Sequence, residues 1–175
     1  MNRRTILKLI AAGVLPGSAT FVSLAQVSDA YQPYFFSGDQ MALLDQLSEI
    51  ILPADDHSGG SRAALVNRYI DVVVSESSGT TQQRWREGLE VINKQSADSF
   101  GRAFLACTPE QQQQIVATLA AGEEHPRTIG EEFFVLLKQA TVDGYYSSRI
   151  GIHDELEYQG NTALPEFEGC THPEH

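Results

Sequence analysis

Apolar residues recur at three- and four-residue spacing along most of this chain, the spacing that places side chains on one face of an α-helix. An early run of this kind contains Leu44, Leu47, Ile50 and Ile51 and ends before Pro53, whose ring cannot continue a helix. Similar runs follow it as far as residue 143. The periodicity therefore predicts an all-α fold, a single bundle of about five helices.

Local sequence signals indicate where several of these helices begin. Residues 37–40 read Ser-Gly-Asp-Gln, which has the form of a capping box. Residues 108–111 read Thr-Pro-Glu-Gln, which adds a proline at the first helical position and a glutamate favoured by the helix dipole. Ser61 is predicted to cap the second helix, whose run Val72-Val73-Val74 would also suit a strand, although the flanking pattern favours a helix. The remaining predicted helices cover residues 62–75, 81–94 and 128–143.

The predicted last helix is apolar over more than one face, and beyond Gly144 the periodicity ends. Residues 145–175 are therefore predicted to form a long, irregular C-terminal arm. Adjacent helical residues point about 100° apart, so two neighbouring phenylalanines cannot share one narrow core stripe. Either this helix is central in the bundle or one ring faces a partner. The candidate interface residues are Phe133, Phe134, Tyr145, Tyr146 and Phe167.

The N-terminus has the layout of an export leader. Arg3 and Arg4 are adjacent, Leu7-Lys8 follows, and a modestly apolar run covers residues 9–25. This arrangement favours a twin-arginine leader, which sends proteins across the membrane already folded. An ordinary secretory leader and an uncleaved anchor are the alternatives, but the run is too weakly apolar for a membrane span of about 20 residues. The leader predicts a periplasmic location.

Small residues allow cleavage of the leader after Ala25 or Ala30, and we favour Ala30. Residues 1–30 are then a signal peptide and residues 31–175 one helical domain.

This domain carries 22 acidic and 9 basic side chains, a net charge of −13. Such a charge makes nucleic acid and anionic lipid poor candidate partners.

The two cysteines, Cys107 and Cys170, would form a disulfide in an exported protein, or remain one buried and one exposed thiol. The tail after Gly169 also offers Cys170, His172 and His175 as weak candidate ligands for a transition metal. Because residues at a chain end are usually mobile, a partner-binding arm is the favoured interpretation of this tail.

No other motif for chemistry is found. The sequence has no glycine-rich dinucleotide-binding turn, no Cys-x-x-Cys-His haem attachment and no Gly-x-Ser-x-Gly nucleophile elbow. Asp55-Asp56-His57 could hold a divalent ion, but its spacing does not match known calcium loops and a solvated turn is favoured. The residues therefore predict no catalytic site and no cofactor on this chain.

Four segments together carry a family resemblance. They are Arg3-Arg4 with Leu7-Lys8, Ile50-Ile51-Leu52-Pro53-Ala54-Asp55, Asp143-Gly144-Tyr145-Tyr146-Ser147 and Phe167-Glu168-Gly169-Cys170-Thr171-His172-Pro173. In their order and spacing, the chain resembles the gluconate 2-dehydrogenase subunit 3 family over most of its length.

The resemblance implies a non-catalytic small subunit. Members of the family accompany a large FAD-dependent dehydrogenase of the glucose-methanol-choline type that oxidises a sugar or sugar acid in the periplasm. A multihaem cytochrome c subunit often completes the complex as a third component, and the complex would hold this subunit at the inner membrane. The small subunit supports the large one and carries the signal for the twin-arginine translocase, here Arg3 and Arg4. The FAD, and haem c where present, then belong to other chains.

Two other functions remain open from the sequence. The chain could be a small periplasmic metal-binding protein or metalloenzyme that uses the tail Cys170–His175. It could also be a free-standing structural protein of the periplasm.

Overall fold

The computed structural model describes residues 31–161 and shows five α-helices there without a β-strand. The helices are α1 (Gly38–Ile51), α2 (Val66–Ser75), α3 (Gly79–Phe100), α4 (Pro109–Ala120) and α5 (Ile129–Tyr146). A 3₁₀ turn at Phe104–Ala106 precedes α4, and a π-helical turn at Ile150–Glu155 follows α5. All of these elements belong to one compact unit that begins at Gln32. The predicted all-α bundle is therefore confirmed.

Helix α5 is the centre of the bundle and packs against all four other α-helices. Phe133 and Phe134 are only 3% and 6% exposed, on different sides of the same helix. Of the two interpretations of this aromatic pair, the central helix is the one that the structure adopts. The buried residues of α5 are Gly130, Phe133, Phe134, Leu137, Thr141, Gly144 and Tyr145.

The helix starts at α1 and α4 are confirmed, and each has the predicted capping box. Helix α5 has a third box, in which the Thr128 hydroxyl accepts from the Glu131 N–H. The Glu131 carboxylate accepts in return from the N–H groups of Arg127 and Thr128, at 2.7 and 3.0 Å. These bonds, that from Arg127 first, hold the pKa of Glu131 below its ordinary value of 4.5 because they favour the ionised form.

The predicted N-cap of the second helix is wrong. Ser61 does not cap α2; its hydroxyl and its N–H both donate to the carbonyl of Leu52, at 3.1 and 2.9 Å. The chain thereby folds back onto the end of α1 and forms turns through Leu65, which has a left-handed backbone (φ 57°). Helix α2 consequently begins at Val66, four residues later than predicted.

Two other helices are longer than predicted. Helix α3 continues past Lys94 to Phe100 and ends at Gly101, whose left-handed backbone (φ 69°) suits glycine. Helix α5 continues to Tyr146, so the irregular arm does not begin at residue 145. Tyr145 stays helical because its side chain is buried, with its hydroxyl hydrogen-bonded to Ser58.

Candidate partner-binding surface

Helix α2 carries apolar residues on its inner side and also on the flank beside that side. Val66, Ile70 and Val74 are at most 1% exposed and form its inner side, which packs against α1 and α5. A second set of apolar residues points outward, and we call it the α2 face. It consists of Leu65 (46% exposed), Tyr69 (36%), Val72 (44%) and Val73 (47%). An apolar stripe on a helix is normally covered, whereas here the outward set is open in the isolated chain.

The α2 face is held in place by close packing against α5. A methyl group on Gly144 would lie 2.7 Å from Cδ1 of Tyr69 and 3.3 Å from Cγ1 of Val66. The absence of a side chain at position 144 thus lets the tyrosine ring lie against the α5 backbone. The ring spans the junction of the two helices and gives the face a fixed shape.

An apolar groove of about 200 Å³ continues from the α2 face between α2, α3 and α5. Val73 belongs both to the face and to the groove, so the two form one surface. Trp85 lies at the buried bottom of the groove and is 2% exposed. The other apolar lining residues are Ile70, Val74, Leu136 and Ala140. We call the face and the groove together the α2 surface.

The α2 surface is suited to binding an apolar partner. Contiguous exposed apolar residues of this kind mark interaction sites in soluble proteins, whereas single exposed apolar residues do not. Asp143 and Gln139 stand at its edge and would form a polar rim around an apolar centre, as in typical interfaces. Such a surface is suited to binding another molecule and not to proton transfer or nucleophilic attack.

The aromatic residues predicted as an interface are mostly in the core. Phe133, Phe134 and Tyr145 are nearly completely buried, so they pack the bundle and do not offer a surface to a partner. Phe133 meets Trp85 edge to face at 5.4 Å between ring centroids. Tyr146 is 38% exposed, and Phe167 lies outside the described residues.

The Asp55–His57 loop is built as a turn. One oxygen of Asp55 accepts from the N–H groups of His57 and Ser58, at 2.9 and 2.8 Å. These bonds, that from Ser58 first, hold the pKa of Asp55 below its ordinary value of 3.8. Within residues 31–161, no group of three or more His, Cys, Asp or Glu side chains is arranged to hold a metal ion.

The remaining predicted sites lie wholly or partly beyond the described part of the chain. Cys107 is buried, and its Sγ lies 3.6 Å from the carbonyl oxygen of Ala103. Its predicted disulfide partner Cys170 lies outside the described residues, as do His172 and His175. The leader residues Arg3 and Arg4 lie outside them too. The disulfide, the metal-binding tail and the export signal stay predictions.

The α2 surface was not predicted from the sequence, although part of its signal is present there. Tyr69, Val72 and Val73 recur at helical spacing on the flank of α2 next to Val66, Ile70 and Val74. An apolar arc this wide on one short helix indicates that more than its inner side is covered in the working state.

In the described part of the chain, no helix is both long and apolar enough to cross a membrane.

Comparisons with known proteins identify the family. Neither the curated proteins nor the solved structures contain a match to this chain. A family model described as gluconate 2-dehydrogenase subunit 3 matches residues 38–162, which include all five α-helices. The chain therefore belongs to the gluconate 2-dehydrogenase subunit 3 family.

Proposed function

We propose that this chain is a non-catalytic accessory subunit of a periplasmic dehydrogenase and binds its catalytic flavoprotein through the α2 surface. The catalytic subunit is an FAD-dependent dehydrogenase of the glucose-methanol-choline type that oxidises gluconate or a related sugar. The family name describes one subunit of a gluconate 2-dehydrogenase, so membership implies association with other subunits of a dehydrogenase complex.

The open apolar side of α2 is the observation that carries this proposal. Val72 and Val73 are almost half exposed on a helix whose other side is fully buried. Leaving such side chains in water is unfavourable, and covering them with a partner's apolar residues recovers that free energy. The fixed Tyr69 ring and the adjoining groove supply the defined shape that a specific partner needs.

The net negative charge of this chain indicates which charges the partner's contact surface can carry. Residues 31–175 carry a net charge of −13, so a strongly acidic partner would be repelled. Asp143 lines the groove and Glu76 is the C-cap residue of α2, and both are exposed. We therefore assign the partner an apolar contact patch with neutral or basic surroundings.

The redox chemistry in this proposal belongs to other chains. The sequence has no glycine-rich turn that could bind a dinucleotide and no haem-attachment motif, so FAD is placed on the catalytic subunit. Haem c, where a cytochrome completes the complex, is placed on that third subunit. The role of this chain is to stabilise the flavoprotein and to provide the export signal.

Export of the pair is tested by changing the leader alone. Replacing Arg3 and Arg4 together by lysine is expected to retain both this chain and its flavoprotein in the cytoplasm, because one signal serves the folded pair. Periplasmic dye reduction with the sugar substrate should then be lost from co-expressing cells. The matched control is Lys8→Arg, which also exchanges the two basic residue types in the leader but leaves the pair intact.

Two outcomes would contradict the proposal. Retention of this chain with continued export of the flavoprotein would show that the flavoprotein does not depend on this leader. Equal periplasmic dye reduction with and without this chain would remove the accessory role.

A further inference from the structure

A buried carboxylate holds the segment that follows the predicted leader. Asp71 lies on α2 and is 0% exposed. One of its oxygens accepts the N–H of Tyr34 at 2.7 Å, and the other accepts those of Phe35 and Phe36, both at 3.0 Å. Three successive backbone amides therefore point at one side chain that is 35 to 37 positions further along the sequence.

Burying the Asp71 carboxylate is unfavourable unless the backbone amides of residues 34–36 are bonded to it. An ionised carboxylate removed from water is strongly unfavourable unless hydrogen bonds replace its hydration. Hydrogen bonds from backbone N–H groups to a charged carboxylate are among the stronger ones in proteins. If the segment left, the buried Asp71 carboxylate would lose all three of these hydrogen bonds at once.

Side chains of the same segment add to its attachment. Phe36 is 4% exposed and meets Trp85 of α3, with 6.1 Å between ring centroids. Phe35 lies under the guanidinium group of Arg86, 4.2 Å from its ring centroid. The outward-pointing Tyr34 is 74% exposed, so at this position the backbone is held while the side chain remains in solvent.

The position of this attachment connects it with the leader. Only residues 31–33 separate Tyr34 from Ala30, the predicted last residue of the leader. Asp71 is also about 100° to 160° around the α2 axis from Tyr69, Val72 and Val73. One short helix thus holds the leader junction on one side and offers the α2 surface on the other.

We propose that Asp71 is the docking site that locks the leader junction, residues 34–36, to the folded body. The junction is ordered only when α2 is folded against its neighbours, because the carboxylate acquires its position and its burial from that packing. Residues 34–36 are therefore free of Asp71 only in a chain whose helical body has not folded. For a leader that addresses a route for folded proteins, which rests on the proposed function above, the lock makes the order of the first residues after the leader depend on a folded domain.

The test is residue-resolved hydrogen exchange on the full chain by NMR. In the unchanged protein, the amides of residues 34–36 should exchange slowly despite lying outside any helix. The variant Asp71→Asn should speed their exchange by about tenfold or more, the effect of losing one hydrogen bond to a charged group. The amides in the middle of α5 should keep their protection. Asp98→Asn, the same change at an exposed carboxylate of α3, should alter none of these rates.

A second variant removes a hydrogen-bond donor from the segment and leaves Asp71 and the core side chains unchanged. Tyr34→Pro removes the N–H that lies 2.7 Å from Asp71, at a residue whose side chain is mostly in solvent. The amides of Phe35 and Phe36 should then exchange faster, while those of α5 do not. This variant remains informative if Asp71→Asn destabilises the whole body.

Unchanged exchange at residues 34–36 in both variants would overturn the lock. A general rise across all helices in Asp71→Asn, with no local change in Tyr34→Pro, would also overturn it and leave Asp71 a purely structural carboxylate. Because these measurements use the chain alone, a failed lock is distinguishable from a failure to bind the dehydrogenase.

Discussion

Replacing Gly88 with alanine is expected to destabilise the helical body by about 3 kcal/mol or more, since overpacked cores shift side chains and backbone. A methyl group at this position would lie 2.0 Å from Cδ2 of Phe133, which is well inside van der Waals contact. The Phe133 ring cannot easily move away, because its other neighbours include Trp85 in an edge-to-face contact. Helices α3 and α5 must therefore separate, and α5 is central to the fold.

Urea unfolding followed by tryptophan fluorescence measures this change directly. Trp85 is the only tryptophan of the chain and lies beside Phe133, so its emission reports on this part of the core. The control is Gly79→Ala at the first residue of α3, where a methyl group would meet nothing within 4 Å. That variant should be as stable as the unchanged protein, within about 1 kcal/mol. Equal stability of the two alanine variants would show that α3 and α5 do not pack as closely as described.

The variant Val73→Lys is expected to weaken binding to the flavoprotein by about 30-fold or more, the effect of losing a central interface contact. Val73 is 47% exposed and connects the α2 face with the groove, so a charge there would have to be desolvated when the partner binds. The fold itself should change little, because the side chain is half in solvent already. Titration of the labelled chain with the flavoprotein subunit gives the two dissociation constants.

Leu105→Lys is the matched control for this prediction. Leu105 is 45% exposed, nearly the same as Val73, but lies on the 3₁₀ turn and is not part of the α2 surface. The control should bind as tightly as the unchanged chain. If the two lysine variants bind equally well, the partner docks elsewhere on the molecule, and the α2 surface loses its assigned role.

Those features of the fold that depend on neighbouring residues were predictable from the sequence. The capping boxes at Ser37 and Thr108 involve residues three positions apart, so four consecutive residues are enough to recognise each of them. The central position of α5 was one of two interpretations of its paired phenylalanines. Apolar content on several faces indicates burial, but it does not say whether this chain or a partner covers them.

The features that depend on distant residues were not predictable. Asp71 gives no local sign that it binds backbone amides more than 30 positions earlier, and the contact of Gly88 with Phe133 is equally remote. The late start of α2 has a similar cause, because Ser61 finds a partner in Leu52 instead of capping the next helix. The α2 surface exists because the neighbouring helices cover only one side of α2, which no local pattern specifies.

The most direct test is the mass of the particle formed when the purified chain is mixed with its proposed flavoprotein partner. Size-exclusion chromatography with light scattering should show a single species containing one copy of each, with sugar-dependent dye reduction present in the flavoprotein and absent from this chain alone. Two separate peaks at micromolar concentrations, or turnover of the sugar by this chain by itself, would contradict the proposed role as a non-catalytic subunit.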